Sequence, residues 1–179
     1  MTPMLLGQIF GILTTVAVVV TYQLPKRWQI MLFSALTNIL STVNVLLIGA
    51  GLTVCMVNLV AVVHSFINSY KAKRGLDSSL SEKIIFSILY FIAWGVGLYI
   101  SIQNGTASWL DAMPLAATAF FVASMIFVDE QKIRLAMLGN SGIYTVYHII
   151  FRNIGVLAQL FNITSIIIAL FRYRKKKAL

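Results

Sequence analysis

Charged residues are scarce in this chain. They make up 11% of its 179 residues, whereas hydrophobic residues make up 59%, and the mean hydropathy is +0.89. A soluble domain of this length leaves a large part of its surface in water and could not hide so much apolar surface. The composition therefore excludes a soluble fold and predicts an integral membrane protein. The net charge of +9 does not indicate nucleic-acid binding, because the basic residues lie at the ends of apolar segments and form no soluble basic domain.

Side chains able to carry chemistry are also few. The single cysteine, Cys55, lies inside an apolar segment, so an intrachain disulfide is excluded. There is no phosphate-binding Walker loop, no metal-ligand cluster and no nucleophile–base pair. We therefore expect no cofactor, no metal and no enzymatic activity. An intramembrane enzyme built on His64 and His148 would need both imidazoles to face one cavity.

Long apolar runs follow one another almost without interruption. Each approaches the about 20 residues that an α-helix needs to cross the hydrocarbon core of a bilayer. Hydropathy predicts an all-α protein with seven transmembrane helices, since period-two strands are not seen. The predicted helices are 4–22, 30–48, 52–70, 84–102, 113–128, 134–151 and 154–172.

Basic residues are almost confined to alternate connections. Of the 14 lysines and arginines, 13 fall on one side of the predicted membrane and Arg152 alone falls on the other. Basic loops remain in the cytoplasm. The count predicts an N-terminus outside and a C-terminus in the cytoplasm.

The chain also repeats itself. A shift of 103 residues places Ile30-Met31-Leu32 on Ile133-Arg134-Leu135, and one further residue places Asn58 on Asn162. Such doubling predicts two copies of one unit. We expect two parallel three-helix bundles joined by a linker helix, a 3+1+3 plan, with residues 1–74 as the first bundle, 75–110 as the linker and 111–179 as the second bundle.

Polar side chains form matched stripes on the predicted helices. Polar groups in a bilayer need partners or water, and a site between two repeats would duplicate its ligands. The stripes predict a midplane chamber for a polar or uncharged molecule, although the same side chains could simply hold helices together. The candidate substrate-binding residues are Asn58, Asn162, Asn44, Asn140, Tyr144, Tyr147, Asn38, His64 and His148.

These features indicate a small-molecule transporter that works by alternating access. Facilitated diffusion is favoured, because no acidic residue lies deep within a helix where a proton relay would need one. The alternative is a non-transporting membrane scaffold or a subunit of a larger complex, which would have a dry, packed axis. The partners expected are a small-molecule substrate and membrane lipid, and Gly7-xxx-Gly11 leaves a homodimer open.

Short motifs carry a resemblance over nearly the whole chain. They are Gln8-xx-Gly11, Asn58, Met113-Pro114-Leu115, Tyr147-His148 and Asn162. The chain resembles the superfamily of SWEET sugar transporters, SemiSWEETs, PQ-loop proteins and the vitamin transporter PnuC, and within it the YgjV-like bacterial inner-membrane proteins. The resemblance implies a multi-pass protein of the bacterial inner membrane. It also implies that Asn58 and Asn162 match the paired asparagines that contact substrate in the sugar transporters. The hinge prolines and the PQ dipeptide of those transporters are missing here.

Overall fold

Seven α-helices make up the part of the chain that the structure, a computed structural model, describes: residues 2–48, 52–105, 112–150 and 155–174. Their bounds are α1 Pro3–Gln23, α2 Arg27–Ile48, α3 Leu52–Lys73, α4 Leu80–Gln103, α5 Ala112–Ile126, α6 Glu130–Ile150 and α7 Gly155–Arg174. The all-helical prediction with seven helices is confirmed.

Five of these helices are long and apolar enough to cross a membrane: α1, α2, α3, α4 and α7. The helix α5 has only 15 residues, fewer than the about 17 needed to span the hydrocarbon core. The helix α6 is long enough, but charged and amide side chains such as Arg134 and Asn140 lower its apolar character. The crossing of the membrane by these last two helices stays a prediction.

Several helices begin earlier than hydropathy predicts, because polar capping residues extend them beyond the apolar run. The helix α4 begins at Leu80 rather than at residue 84, since Ser79 and Glu82 cap each other's backbone N–H groups. The helix α6 begins at Glu130 rather than at residue 134, where the Asp129 carboxylate accepts from the N–H of Gln131 at 2.8 Å. Both caps place a carboxylate at the positive end of a helix dipole.

Helices α1, α2 and α3 pack in one group, in which α2 contacts both of its neighbours. Helices α5, α6 and α7 form the other group, in which α6 has the same place. The groups meet where α1 contacts α7 and where α3 contacts α5. These two contacts correspond to each other under the sequence repeat, because each joins the first helix of one group to the third helix of the other.

The helix α4 packs against α3 and also touches α5. Its Phe86 and Tyr90 form a buried cluster with Ala61 of α3, and Phe121 of α5 packs against it. Gly97 allows a close approach, because a Cβ atom built there would overlap the Cα atom of Thr53 on α3. The predicted linker helix is therefore a packed part of the structure, wedged beside one of the two contacts between the groups.

Apolar side chains fill the junction of the two groups near the basic ends of the helices. Ile30 of α2 and Ile133 of α6, which match in the repeat, share one buried cluster with Met31 and Met125. Phe121 packs against this cluster and against two others. An apolar plug, formed by this cluster and Phe121, thus lies where the two groups meet at this level.

Candidate functional site

One face of α3 is polar and buried, and it points toward the second group of helices. Asn58, Ala61, Ser65 and Asn68 follow at helical spacing and are 9%, 1%, 0% and 1% exposed. At the basic end of this stripe, Asn68 Nδ2 donates to the carbonyl of Met125 on α5 at 3.2 Å. Asn58 lies two turns before Ser65 on this face, and the Oγ atom of Ser65 is 3.8 Å from Met125 Sδ on α5.

The matching face of α7 is arranged in the same way. Asn162 is 7% exposed and lies one turn before Ser165, which is 4% exposed. Ser165 Oγ donates to the carbonyl of Val19 on α1 at 2.9 Å and accepts from Gln23 Nε2 at 2.9 Å. Asn162 therefore lies on the face of α7 that meets α1, as the repeat requires.

The two amides differ in how their hydrogen bonds are used. Asn58 Nδ2 donates to Ser41 Oγ on α2 at 3.1 Å. Asn162 Nδ2 reaches only Gln159 Oε1 in its own helix, at 3.4 Å. The Oδ1 atom of Asn162 is buried and has no hydrogen-bond donor among the described residues. A buried acceptor without a donor costs about 1–3 kcal/mol, so this atom is suited to receive a hydrogen bond from a bound molecule.

Two of the other three asparagine candidates join neighbouring helices, and the third bonds within its own helix. Asn44 Nδ2 donates to the carbonyl of Gly7 on α1 at 2.9 Å, and Asn140 Nδ2 donates to the carbonyl of Ala117 on α5 at 2.7 Å. Asn38 Nδ2 donates within its own helix to the carbonyl of Ser34 at 2.8 Å. The bonds of Asn44 and Asn140 correspond to the helix-packing role that the sequence left open for these residues.

The close approach of α1 and α2 occupies the small-residue face of α1. A Cβ atom built on Gly11 would lie 2.6 Å from Asn44 Nδ2, and Gly7 is buried. The Gly7-xxx-Gly11 motif thus packs against a helix of the same chain.

Tyr144 and Tyr147 lie on one face of α6 and contact each other edge to face. Their ring centroids are 6.4 Å apart with an interplanar angle of 84°. Under the repeat Tyr144 matches Ser41, the partner of Asn58, and Tyr147 matches Asn44. The second group therefore carries two aromatic rings where the first carries a hydroxyl and an amide.

His64 is buried on the side of α3 that faces α4. Its ring stacks on Phe86 with centroids 4.0 Å apart and an interplanar angle of 7°, and its Nδ1 atom lies 3.4 Å from the Tyr90 hydroxyl. His64 is therefore part of a packed aromatic cluster rather than of a chamber wall. His148 belongs to α6, but its side chain lies outside the described part of the structure.

Arg134 is a buried residue that the sequence interpretation placed among the basic loop residues. It is 1% exposed. Its Nε and Nη2 atoms donate to the carbonyls of Tyr22 and Leu24 at 3.2 and 2.7 Å, and its guanidinium lies 4.6 Å from the ring centroid of Tyr173. Two carbonyls and an aromatic face compensate the buried charge. The sequence repeat could have indicated that Arg134 is buried, because it matches Met31, a fully buried core residue.

Further hydrogen bonds join the two groups where α1 contacts α7. We call this contact, and the matching contact between α3 and α5, the two seams between the groups. The Tyr173 hydroxyl donates to the carbonyl of Gln23 at 2.6 Å, and Arg172 Nη1 donates to Gln23 Oε1 at 3.3 Å. The Asn68–Met125 bond closes the pseudo-symmetric seam, where Met125 matches Tyr22. At the end where α1 and α5 terminate, both seams are thus closed by side chains that bind backbone carbonyls.

Chemistry that needs a metal or an acid cluster finds no support in this geometry. Within residues 2–48, 52–105, 112–150 and 155–174, no three histidine, cysteine or acidic side chains are grouped closely enough to hold a metal ion. The polar groups that the site does offer are amides and hydroxyls, which can both donate and accept hydrogen bonds.

The apolar helices and their buried amide stripes define an α-helical membrane protein. Residues 5–177 match the model of a family described as bacterial inner membrane protein, Imp-YgjV. The chain belongs to this family. No curated protein and no solved structure shows significant similarity to the chain.

Proposed function

We propose that the protein is a small-molecule transporter, a facilitator of a polar or uncharged solute with its site near the middle of the membrane. The observation that carries this proposal is the Oδ1 atom of Asn162, a buried acceptor without a donor on the face of α7 that meets the other group. Asn58 lies on the matching face of α3. A solute held between them would donate a hydrogen bond to Asn162 and could accept from neighbouring hydroxyls.

The proposed architecture is two parallel three-helix bundles with α4 as the connecting helix. The reciprocal contacts, α1 with α7 and α3 with α5, support two bundles related by an axis along the membrane normal. The N-terminus is outside and the C-terminus is in the cytoplasm, because 13 of the 14 basic residues then face the cytoplasm. Helices α5 and α6 complete the seven crossings of this multi-pass protein of the inner membrane.

The depth of the proposed site follows from helix geometry. Asn58 is six residues from the outer end of α3 and Asn162 is seven residues from that of α7, so both lie about 10 Å inside at 1.5 Å per residue. Phe121 is nine residues into α5 and lies slightly deeper. The apolar plug around Phe121 would form the floor of the site.

Alternating access then requires the two bundles to separate on the cytoplasmic side. The Arg134, Gln23 and Tyr173 bonds close one seam there, and the Asn68–Met125 bond closes the other. The structure would thus represent the state closed to the cytoplasm. Opening would break these bonds and expose the plug.

Transport without proton coupling fits the placement of the acidic residues. Asp77, Glu82, Asp129 and Glu130 lie in or beside the basic connections, and the fifth acidic residue, Asp111, directly precedes α5 in the sequence. A proton-driven carrier usually keeps such a group within the membrane. We also infer that the protein is not an enzyme, because the polar side chains described at the site are amides and hydroxyls.

A non-transporting scaffold or complex subunit remains the second candidate, and two observations favour it. The amides of Asn44 and Asn140 bond to neighbouring helices, and Phe121 packs against three buried clusters where the groups meet. A scaffold predicts that no small solute stabilises the protein.

Thermal stability of the purified protein distinguishes the two candidates. A panel of sugars, polyols, amides and nucleosides would be screened for a rise in the melting temperature. We expect at least one solute to stabilise the wild type, and the Asn58→Ala/Asn162→Ala double variant to lose that response. The control variant Thr164→Ala, on the exposed face of α7, should keep the rise in melting temperature. An equal response of the double variant would refute the site.

A further inference from the structure

A narrow groove on the outer surface of the first group has an entirely apolar lining. It runs between α2 and α3, has a volume of about 260 Å³, and is lined by Leu32, Phe33, Leu36, Ile39 and Phe66. Pockets for compact small molecules usually measure about 300–1,000 Å³ and include some polar groups. This groove lacks both properties. It is suited to a flexible hydrocarbon chain.

The depth and direction of the groove fit one leaflet of a bilayer. Its lining on α2 runs from Leu32 to Ile39, five to 12 residues after Arg27 at the start of the helix, which is about 8 to 18 Å along the helix. Half of the hydrocarbon core is about 15 Å thick. The groove therefore begins near the basic ends of the helices and ends near the middle of the membrane, as one acyl chain does.

Aromatic and cationic side chains continue the groove at its basic end. Trp28 lies one turn before Leu32 on the same face of α2, and Lys73 Nζ is 5.7 Å from the centroid of its ring. Tyr70 lies one turn after Phe66 on α3, and the Arg74 guanidinium is 4.2 Å from its ring centroid. Tryptophan and tyrosine at this depth are typical of the headgroup region.

The cations at this end are available for a further anionic partner. In the described part of the chain, the neighbouring acidic side chains are already paired, Asp77 with Arg27 and Glu82 with Lys71. Lys73 and Arg74 are exposed and rest on aromatic rings instead. Their charges are therefore not neutralised by a carboxylate, and a phosphate at the same depth would complement them.

From this geometry we propose that the groove and its basic end form a binding site for one anionic phospholipid. An acyl chain lies along Leu32, Leu36 and Phe66, and the headgroup phosphate lies between Lys73 and Arg74. Trp28 and Tyr70 fix the depth of the glycerol region between them. The site is separate from the proposed solute site and does not depend on transport.

Native mass spectrometry of the purified full-length protein tests the site. Phosphatidylglycerol and phosphatidylcholine with identical acyl chains would be added at equal concentrations, and retained lipid would be counted. We expect severalfold more retention of phosphatidylglycerol. The Lys73→Gln/Arg74→Gln variant should fall to the phosphatidylcholine level, whereas Lys132→Gln, which removes an exposed cation at the start of α6, should behave like the wild type.

Two further experiments test whether binding depends on the acyl-chain groove as well as on the cations. Leu36→Trp, which fills the groove, should lower retention of both lipids. Free glycerol phosphate should not displace the bound lipid. Three results would overturn the proposal: equal retention of the two lipids by the wild type, equal loss in Lys73→Gln/Arg74→Gln and in the Lys132→Gln control, or displacement of the lipid by glycerol phosphate.

Discussion

Replacement of Arg134 by alanine should destabilise the protein more than replacement of any exposed basic residue. The guanidinium donates to two backbone carbonyls, at 3.2 and 2.7 Å. Hydrogen bonds from a charged donor contribute about 1.5–3 kcal/mol each. The cost of burying the charge offsets part of this sum, while the cavity left by the truncation adds to the loss. We expect a net loss of about 3 kcal/mol.

The assay is equilibrium unfolding of the purified protein in a mild detergent, and two variants make the result specific. Arg134→Met fills much of the space without a charge, so it should lose only about half as much as alanine, since packing and desolvation are recovered. Lys132→Ala alters an exposed side chain two residues away and should change stability by less than about 0.5 kcal/mol. Arg134→Ala with no larger effect than Lys132→Ala would refute the buried role of this arginine.

The same variant should also loosen the distant seam if the two bundles move as units. Ser65 is fully buried on α3, where its Oγ atom lies 3.8 Å from Met125 Sδ. A cysteine at this position, in a chain with Cys55 replaced by alanine, should react slowly with an impermeant thiol reagent from the cytoplasmic side. Arg134→Ala should accelerate the reaction. An unchanged rate would contradict concerted opening of the two seams.

Three further predictions concern packing, orientation and the α3–α4 connection. Gly97→Ala should destabilise the protein by about 1–3 kcal/mol in thermal unfolding, since its Cβ would overlap Thr53. The control Gly95→Ala, with open space around it, should be neutral or slightly stabilising. Equal effects of the two substitutions would exclude the close approach of α3 and α4. A reporter fused to the C-terminus should be active only in the cytoplasm, and activity outside would reverse the proposed orientation. Asp77→Asn removes the 2.7 Å ion pair with Arg27; because Asp77 is half exposed, the loss should stay below about 1 kcal/mol and shrink in high salt.

Helix number and approximate position could be predicted from hydropathy, but the helix ends could not. Hydropathy reports only the apolar part of each helix, whereas the ends of α4 and α6 depend on Ser79, Glu82 and Asp129 as caps. The Ser79-xx-Glu82 spacing was readable as a capping box. The role of α4 was harder to predict, because its packing depends on the match between Gly97 and Thr53 on a different helix.

The polar stripes were readable as faces, but their hydrogen-bond partners were not. Helical periodicity places Asn58 and Asn162 on one face of each helix. Whether an amide faces a solute or a neighbouring backbone depends on which small residue lies opposite, as Gly7 does for Asn44 and Ala117 for Asn140. That pairing is a property of tertiary packing and leaves no local signal.

For Arg134, by contrast, the sequence did contain evidence of burial, but the charge count that assigns topology concealed it. Position-dependent charge counts treat every arginine near a helix end as a topology marker. Comparison of the two repeats shows a buried methionine, Met31, at the matching position. An asymmetry between repeats therefore indicates a specialised residue more directly than the charge count does.

Thiol accessibility at position 162 tests the central claim most directly, because it needs no knowledge of the solute. A transporter must expose Asn162 to water during its cycle, whereas a scaffold with a dry axis never does. In the variant with Cys55 replaced by alanine, Asn162→Cys should react with a small impermeant reagent, and Ile166→Cys, one turn deeper in the packed junction, should react much more slowly. Equal protection of both cysteines from both sides of the membrane would contradict a solute site between the bundles.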